Sequence, residues 1–96
     1  MAEPKGHVAG RKSDHRIAFY GLSTCIWCRR TRQFLEEQGV EFDFAYVDLL
    51  QDQELEEAMK HVVRWNPASS YPTIVVDDER CVVGYQPDSL KEVLGL

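Results

Sequence analysis

What the chain lacks narrows its class before any motif is read. Its 96 residues hold three cysteines, too few for a disulfide framework. No apolar run approaches the roughly 18 residues that cross a membrane. Residues 1–16 contain no apolar stretch of the kind a secretory signal needs. Positive charge is in deficit, with a net charge of −5. Lys5, Arg11, Lys12 and Arg16 against Glu3 and Asp14 give the first sixteen residues +2, so the remainder carries −7. An acidic body excludes ordinary nucleic-acid binding, which rests on neutralising phosphates. There is no internal repeat and no second block of apolar periodicity, so a single domain is expected. Residues 1–15, with Pro4, Gly6, Gly10 and few apolar side chains, read as a disordered tail, and 16–96 as the folded domain. The expected setting is the cytoplasm, as a monomer with no membrane or nucleic-acid partner.

What is present is Cys25-Ile26-Trp27-Cys28. The pair follows a strand-like apolar run, Ile17-Ala18-Phe19-Tyr20, and opens a helix-like stretch. A helix N-terminus presents unpaired N–H groups and a partial positive charge. A thiol placed there loses its proton readily, and the thiolate is the reactive form. The competing reading is half of a zinc or iron–sulfur site, which needs further ligands. Cys81 is the one other cysteine, and a second C-x-x-C is absent. Strand, turn, C-x-x-C, helix is the setting that a dithiol redox pair requires.

The rest of the chain reads as alternating elements. Arg16 to Tyr20 is a strand, and Ser23 or Thr24 is available to cap the helix that runs to about Gln38 and stops at Gly39. Phe42, Phe44 and Tyr46 alternate in a second strand over 41–47. Asp52 opens a second helix whose apolar face is Leu55, Met59, Val62 and Val63. Its acids lead and its bases follow, in the order the helix dipole favours. Pro72 to Val76 and Arg80 to Val83 flank Asp77-Asp78-Glu79 as a hairpin, and Pro87 opens a last helix with Leu90, Val93 and Leu94 on its core side. The order is β-α-β-α-β-β-α, with a right-handed parallel crossover first and an antiparallel hairpin last.

That order, together with Tyr20-Gly21-Leu22-Ser23-Thr24-Cys25-Ile26-Trp27-Cys28-Arg29-Arg30, Ser70-Tyr71-Pro72-Thr73-Ile74-Val75-Val76 and Val83-Gly84-Tyr85-Gln86-Pro87-Asp88, resembles the glutaredoxin branch of the thioredoxin fold over residues 16–96. The resemblance implies an α/β, thioredoxin-like fold: a four-stranded mixed sheet with helices on both faces. It implies a thiol-disulfide oxidoreductase that reduces protein or small-molecule disulfides, with Cys25 as nucleophile and Cys28 as the resolving thiol. Trp27, Tyr71, Pro72, Gly84 and Tyr85 would line the substrate site. Pro72 would follow a cis peptide bond, removing a donor near the sulfur and leaving the Tyr71 backbone open to an extended substrate; a trans proline starting an edge strand is the alternative. No tightly bound cofactor is implied, and glutathione or a thioredoxin reductase would supply electrons. Val83-Gly84 stands where many glutathione users have Gly-Gly, and the Gly84-Tyr85-Gln86-Pro87-Asp88 run is similar to redoxins served by a thioredoxin reductase.

Single residues add expectations. Arg29, Arg30 and Arg32 crowd the N-terminal half of the first helix and Glu36 and Glu37 its end, against the dipole. One role for the arginines is to stabilise the Cys25 thiolate, with Arg29 the first candidate; another is to meet an acidic partner; a third is a solvated face with Arg32–Glu36 pairing. Trp27 is read as exposed and available for docking. Cys81 reads as a buried small hydrophobe, with a third redox thiol or a dimer link as the alternative. His61 reads as a surface histidine, and Trp65 as packing for the loop that follows it.

Overall fold

The computed structural model describes residues 6–96. Its elements are β1 (Gly6–Val8), β2 (Ile17–Gly21), α1 (Ile26–Glu37), β3 (Phe42–Tyr46), α2 (Asp52–Trp65), β4 (Thr73–Val76), β5 (Arg80–Val83) and α3 (Pro87–Leu94). They form a thioredoxin-like α/β fold around one mixed sheet in the order β1-β3-β2-β4-β5. Strands β2 and β3 are parallel, joined by α1, while β4 runs antiparallel to both β2 and β5.

The central strand β2 is covered on both faces, which explains its unbroken apolar run. Ile17 and Phe19 point into a core built with Leu35 of α1, Leu90 and Leu94 of α3, and Ile74 and Val82 of the sheet. Tyr20 points the other way, onto Ala58 and Val62 of α2. Phe19 meets Phe42 and Tyr46 edge-on at 6.3 and 6.4 Å, contacts that add roughly 0.5–1.5 kcal/mol each beyond area burial. Gly39, at φ +71°, follows the end of α1 in the left-handed conformation where glycine is favoured.

The sheet has five strands where four were expected. The extra one, β1, lies in the segment expected to be a disordered tail, and it pairs antiparallel with β3. Gly6 counted toward disorder in the sequence, yet a Cβ there would sit 2.5 Å from the Phe44 ring, so its bareness makes room for that ring. His7 is clasped by Asp43 at 2.6 Å and Glu41 at 3.6 Å. Further along, Lys12 exchanges backbone hydrogen bonds with Gly39 and Glu41, and Asp77 accepts from the Arg16 N–H and pairs with His15. Only residues 1–5 of the expected tail lie outside the described residues.

The face of α2 is also turned from expectation. Val63 is 44% exposed, whereas His61 is 8% exposed and lies between the Tyr20 hydroxyl and Asp78. Leu55, Ala58, Met59 and Val62 set the stripe, and His61 stands one turn beyond Ala58 on its flank. The histidine is therefore an interior hydrogen-bonding residue, a role that periodicity of apolar residues cannot display. Among the described residues, no helix is long and apolar enough to cross a membrane.

Candidate active site

The chain leaves β2 at Gly21, turns through Leu22–Thr24, and enters α1 with Cys25 as its N-cap at φ −86° and ψ 120°. The Cys25 sulfur itself accepts the Cys28 backbone N–H at 3.2 Å. The cap expected of Ser23 or Thr24 is thus supplied by the thiol. Ser23 bonds elsewhere. Its N–H donates to Asp48 Oδ1 at 2.8 Å and its hydroxyl donates to Asp48 Oδ2. These two bonds, the hydroxyl's first, hold the Asp48 carboxyl below the usual carboxylate range. Asp48 follows β3 and anchors the loop that presents Cys25; nothing in its local sequence signals this, since the contact spans 25 residues.

The two cysteines differ sharply in environment. Cys25 is half-buried, while Cys28 is fully buried beneath the first turn of α1. A Cβ on Gly21 would lie 3.2 Å from Cys28 Cβ and 3.0 Å from the Phe19 ring, so a side chain larger than hydrogen there would crowd the second thiol. Burial, followed by hydrogen bonding with Cys25, pushes the Cys28 thiol up to about 12. At neutral pH Cys28 is a protonated thiol inside the protein, and Cys25 is the sulfur nearer solvent.

The Tyr71–Pro72 peptide bond is cis. Pro72 is buried, and its carbonyl accepts the Gly84 N–H at 2.9 Å, which ties the β5–α3 turn to the proline. Gly84 has φ +84° and nothing within 4 Å of where a Cβ would be, so its backbone conformation, not packing, favours glycine there. Tyr71 packs against both cores and donates to Met59 Sδ at 3.2 Å. Burial, then the nearby Cys28, raises its phenol above the ordinary value.

A groove of about 320 Å³ is lined by Trp27, Tyr71, Gly84 and Tyr85. Trp27 is 51% exposed and stacks on Tyr85 with ring centroids 5.6 Å apart at 26°. The Arg30 guanidinium covers Trp27 at 5.3 Å from the centroid. Trp27, Tyr71, Gly84 and Tyr85, all singled out in the sequence, thus line one groove, with Pro72 bonded to Gly84 beside it. Arg29, the first candidate for steadying the thiolate, contributes no such contact. Its side chain is exposed and makes no hydrogen bond or ion pair among the described residues. Arg32 turns to the sheet instead, lying 4.2 Å over Phe44 and bonding Tyr46 Oη at 3.0 Å and Glu36 at 3.2 Å. Cys81 is half-buried on β5, and burial raises its thiol. No group of three or more His, Cys, Asp or Glu side chains able to hold a metal ion occurs among the described residues.

A thioredoxin-like sheet with a capping cysteine at the start of α1 defines the class of thiol redox proteins. The family model for glutaredoxin matches residues 17–81, and the chain belongs to the glutaredoxin family. The crystal structure of the glutaredoxin from Methanosarcina mazei Go1 is 43% identical, covers 95% of this chain and 87% of its own, and superposes with a TM-score of 0.89. Methanoredoxin of Methanosarcina acetivorans is 40% identical, covers 100% of both chains, and gives 0.91. A probable glutaredoxin of Synechocystis is 39% identical over 64 residues, which are 67% of this chain and 68% of that one. Membership of this family supports a thiol oxidoreductase activity.

Proposed function

We propose that the protein reduces protein or small-molecule disulfides by a dithiol cycle through Cys25 and Cys28. The observation that carries this reading is the asymmetry of the pair. One sulfur caps a helix near the surface, and the other is buried and protonated behind it. Cys25 thiolate attacks one sulfur of the substrate disulfide, forming a Cys25–substrate bond and expelling the other sulfur as a thiolate, which takes up a proton. Cys28 then loses its proton and attacks Cys25 Sγ, giving the Cys25–Cys28 disulfide and releasing the second substrate thiol. Two electrons pass from the pair to the substrate. Holding Cys28 protonated until Cys25 is bound to substrate keeps the two thiolates from competing. Trp27, Tyr71, Pro72, Gly84 and Tyr85 form the substrate-binding wall.

The electron donor in this reading is a thioredoxin reductase, with glutathione as the alternative. The support is the Val83-Gly84-Tyr85-Gln86-Pro87 turn, and the fact that the Gln86 side chain is occupied by the Val83 carbonyl at 2.6 Å and by Ser89. The protein would act in the cytoplasm, where a reducing poise keeps such a pair cycling. The test supplies NADPH with thioredoxin reductase, or NADPH with glutathione and its reductase, and follows NADPH oxidation in the presence of a small disulfide. Turnover with thioredoxin reductase is expected. Turnover with glutathione alone overturns the donor assignment, and turnover with neither overturns the activity.

A further inference from the structure

The end of the molecule that holds Cys25 has a surface unlike the rest of the chain. Ile26, Trp27 and Tyr85 are 56%, 51% and 38% exposed; the first two directly follow Cys25, and the third stacks on Trp27. Isolated exposed apolar residues need no explanation, but a cluster beside a reactive group marks a contact surface. Trp27 is not loose: Tyr85 stacks on one side of it and Arg30 lies over the ring. A side chain held in this way loses little entropy when a partner settles on it.

Charge gives the second observation. The body of the chain is acidic, yet the first turns of α1 carry Arg29 and Arg30, neither paired to a carboxylate among the described residues. No acid stands in the first turn of that helix. The acid in the loop beside it, Asp48, is occupied by Ser23. The surface is therefore an aromatic groove topped by Arg30, with Arg29 next to it on the same helix, on an otherwise negative protein. Resting on the activity proposed above, we propose that its partner is an extended protein segment in which acidic residues flank the disulfide and an apolar side chain lies next to the attacked cysteine. The apolar side chain occupies the groove of Trp27, Tyr71 and Tyr85, and the acidic residues face Arg29 and Arg30. Complementary charge raises encounter rates and selects among partners more than it deepens affinity.

The test uses three synthetic peptides with the same intramolecular disulfide and the same neighbouring leucine, flanked by aspartates, asparagines or lysines. Their kcat/KM values are compared with that for 2-hydroxyethyl disulfide, which is uncharged. The aspartate peptide is expected to be reduced about tenfold faster than the lysine peptide at low salt. That ratio should fall toward one at high salt, where screening acts within a few ångströms. It should fall likewise in the Arg29→Gln/Arg30→Gln double variant, whose fold is checked by far-UV circular dichroism. The ratio cancels any general loss of activity in the variant. Equal rates for all three peptides overturn the proposal and leave the oxidoreductase reading standing. An acidic preference that survives the double variant overturns the assignment to these arginines. If neither the peptides nor 2-hydroxyethyl disulfide is reduced, it is the activity itself that fails.

Discussion

Helices α1 and α2 both cover the sheet, yet they use charge in opposite ways. In α2, Asp52 and Glu54 stand in the first turn and Arg64 in the last, the order that complements the helix dipole. Helix α1 has no acid in its first turn and no base in its last. Each charge out of order near an end costs roughly 0.3–1 kcal/mol. The structure shows what α1 gains. Arg32 lies across Phe44 and bonds Tyr46, and Arg30 lies over Trp27. With no carboxylate in the first turn, it is the sulfur of Cys25 that accepts an N–H at the positive helix end. The charges of α2 serve the helix, whereas the arginines of α1 serve the aromatic rings beside it.

The strongest way to break this comparison is to remove the thiol. Cys25→Ser should drop disulfide reduction to background, whereas Cys28→Ser should still attack and then accumulate a mixed disulfide visible by intact mass. Equal loss of attack in both variants would mean that the two sulfurs are not differentiated as their environments imply.

The buried thiol can next be read through pH. The Cys28 thiol is raised in the folded state from 9.0 to about 12. A group with a raised folded value stabilises below its unfolded value and loses that contribution as pH rises through the folded one. Native stability should therefore fall between about pH 9 and 12, and fall less in Cys28→Ala. Denaturant titrations of both proteins across that range check the difference.

On the α2 side, His61→Leu removes the bond to Tyr20 and an edge-on ring contact at 5.4 Å. A loss of roughly 1–3 kcal/mol in urea unfolding is expected, with the thiol chemistry intact. On the α1 side, Arg32→Ala removes a hydrogen bond to Tyr46 and the cation over Phe44, and should cost about 1–2 kcal/mol. No change in stability would return Arg32 to the solvated face that its spacing to Glu36 suggested.

The smallest effect is the sharpest test. Ile26→Glu gives α1 the first-turn acid that α2 has, at a site 56% exposed. The helix should gain roughly 0.3–1 kcal/mol, and iodoacetamide labelling of Cys25 should slow severalfold. Faster labelling would mean that the helix end does not govern the sulfur.

Much of this was legible in the chain because the signals are local. Ile17 to Tyr20, the 25–28 spacing, Gly39 after α1, and Pro87 at the start of α3 each act within a turn or a strand. The cluster of Trp27, Tyr71, Gly84 and Tyr85 was legible through family resemblance, since residues 27 and 85 have no local reason to meet. What escaped was set by distant partners. Asp48 reaches back to Ser23, and His61 bridges Tyr20 and Asp78. Apolar periodicity says nothing about a buried polar chain of this kind. The cap on α1 escaped because capping preference points to hydroxyls, and here a sulfur two residues from Ser23 accepts the bond. Strand β1 was hidden because three residues carry almost no pattern and its glycine mimics a flexible tail.

That short strand has a consequence for the protein in solution. Phe42, Phe44 and Tyr46 make β3 an alternating aromatic ribbon, and without β1 its outer row of backbone donors and acceptors would face water. Such a row is a template on which a second chain can lay down its own strand, the route to domain swapping and fibrous precipitate. Gly6, His7 and Val8 occupy that template from within the same molecule. Trimming the chain to begin at Ala9 should leave the thiols in place yet shift the protein toward large species on sizing, and more steeply as concentration rises.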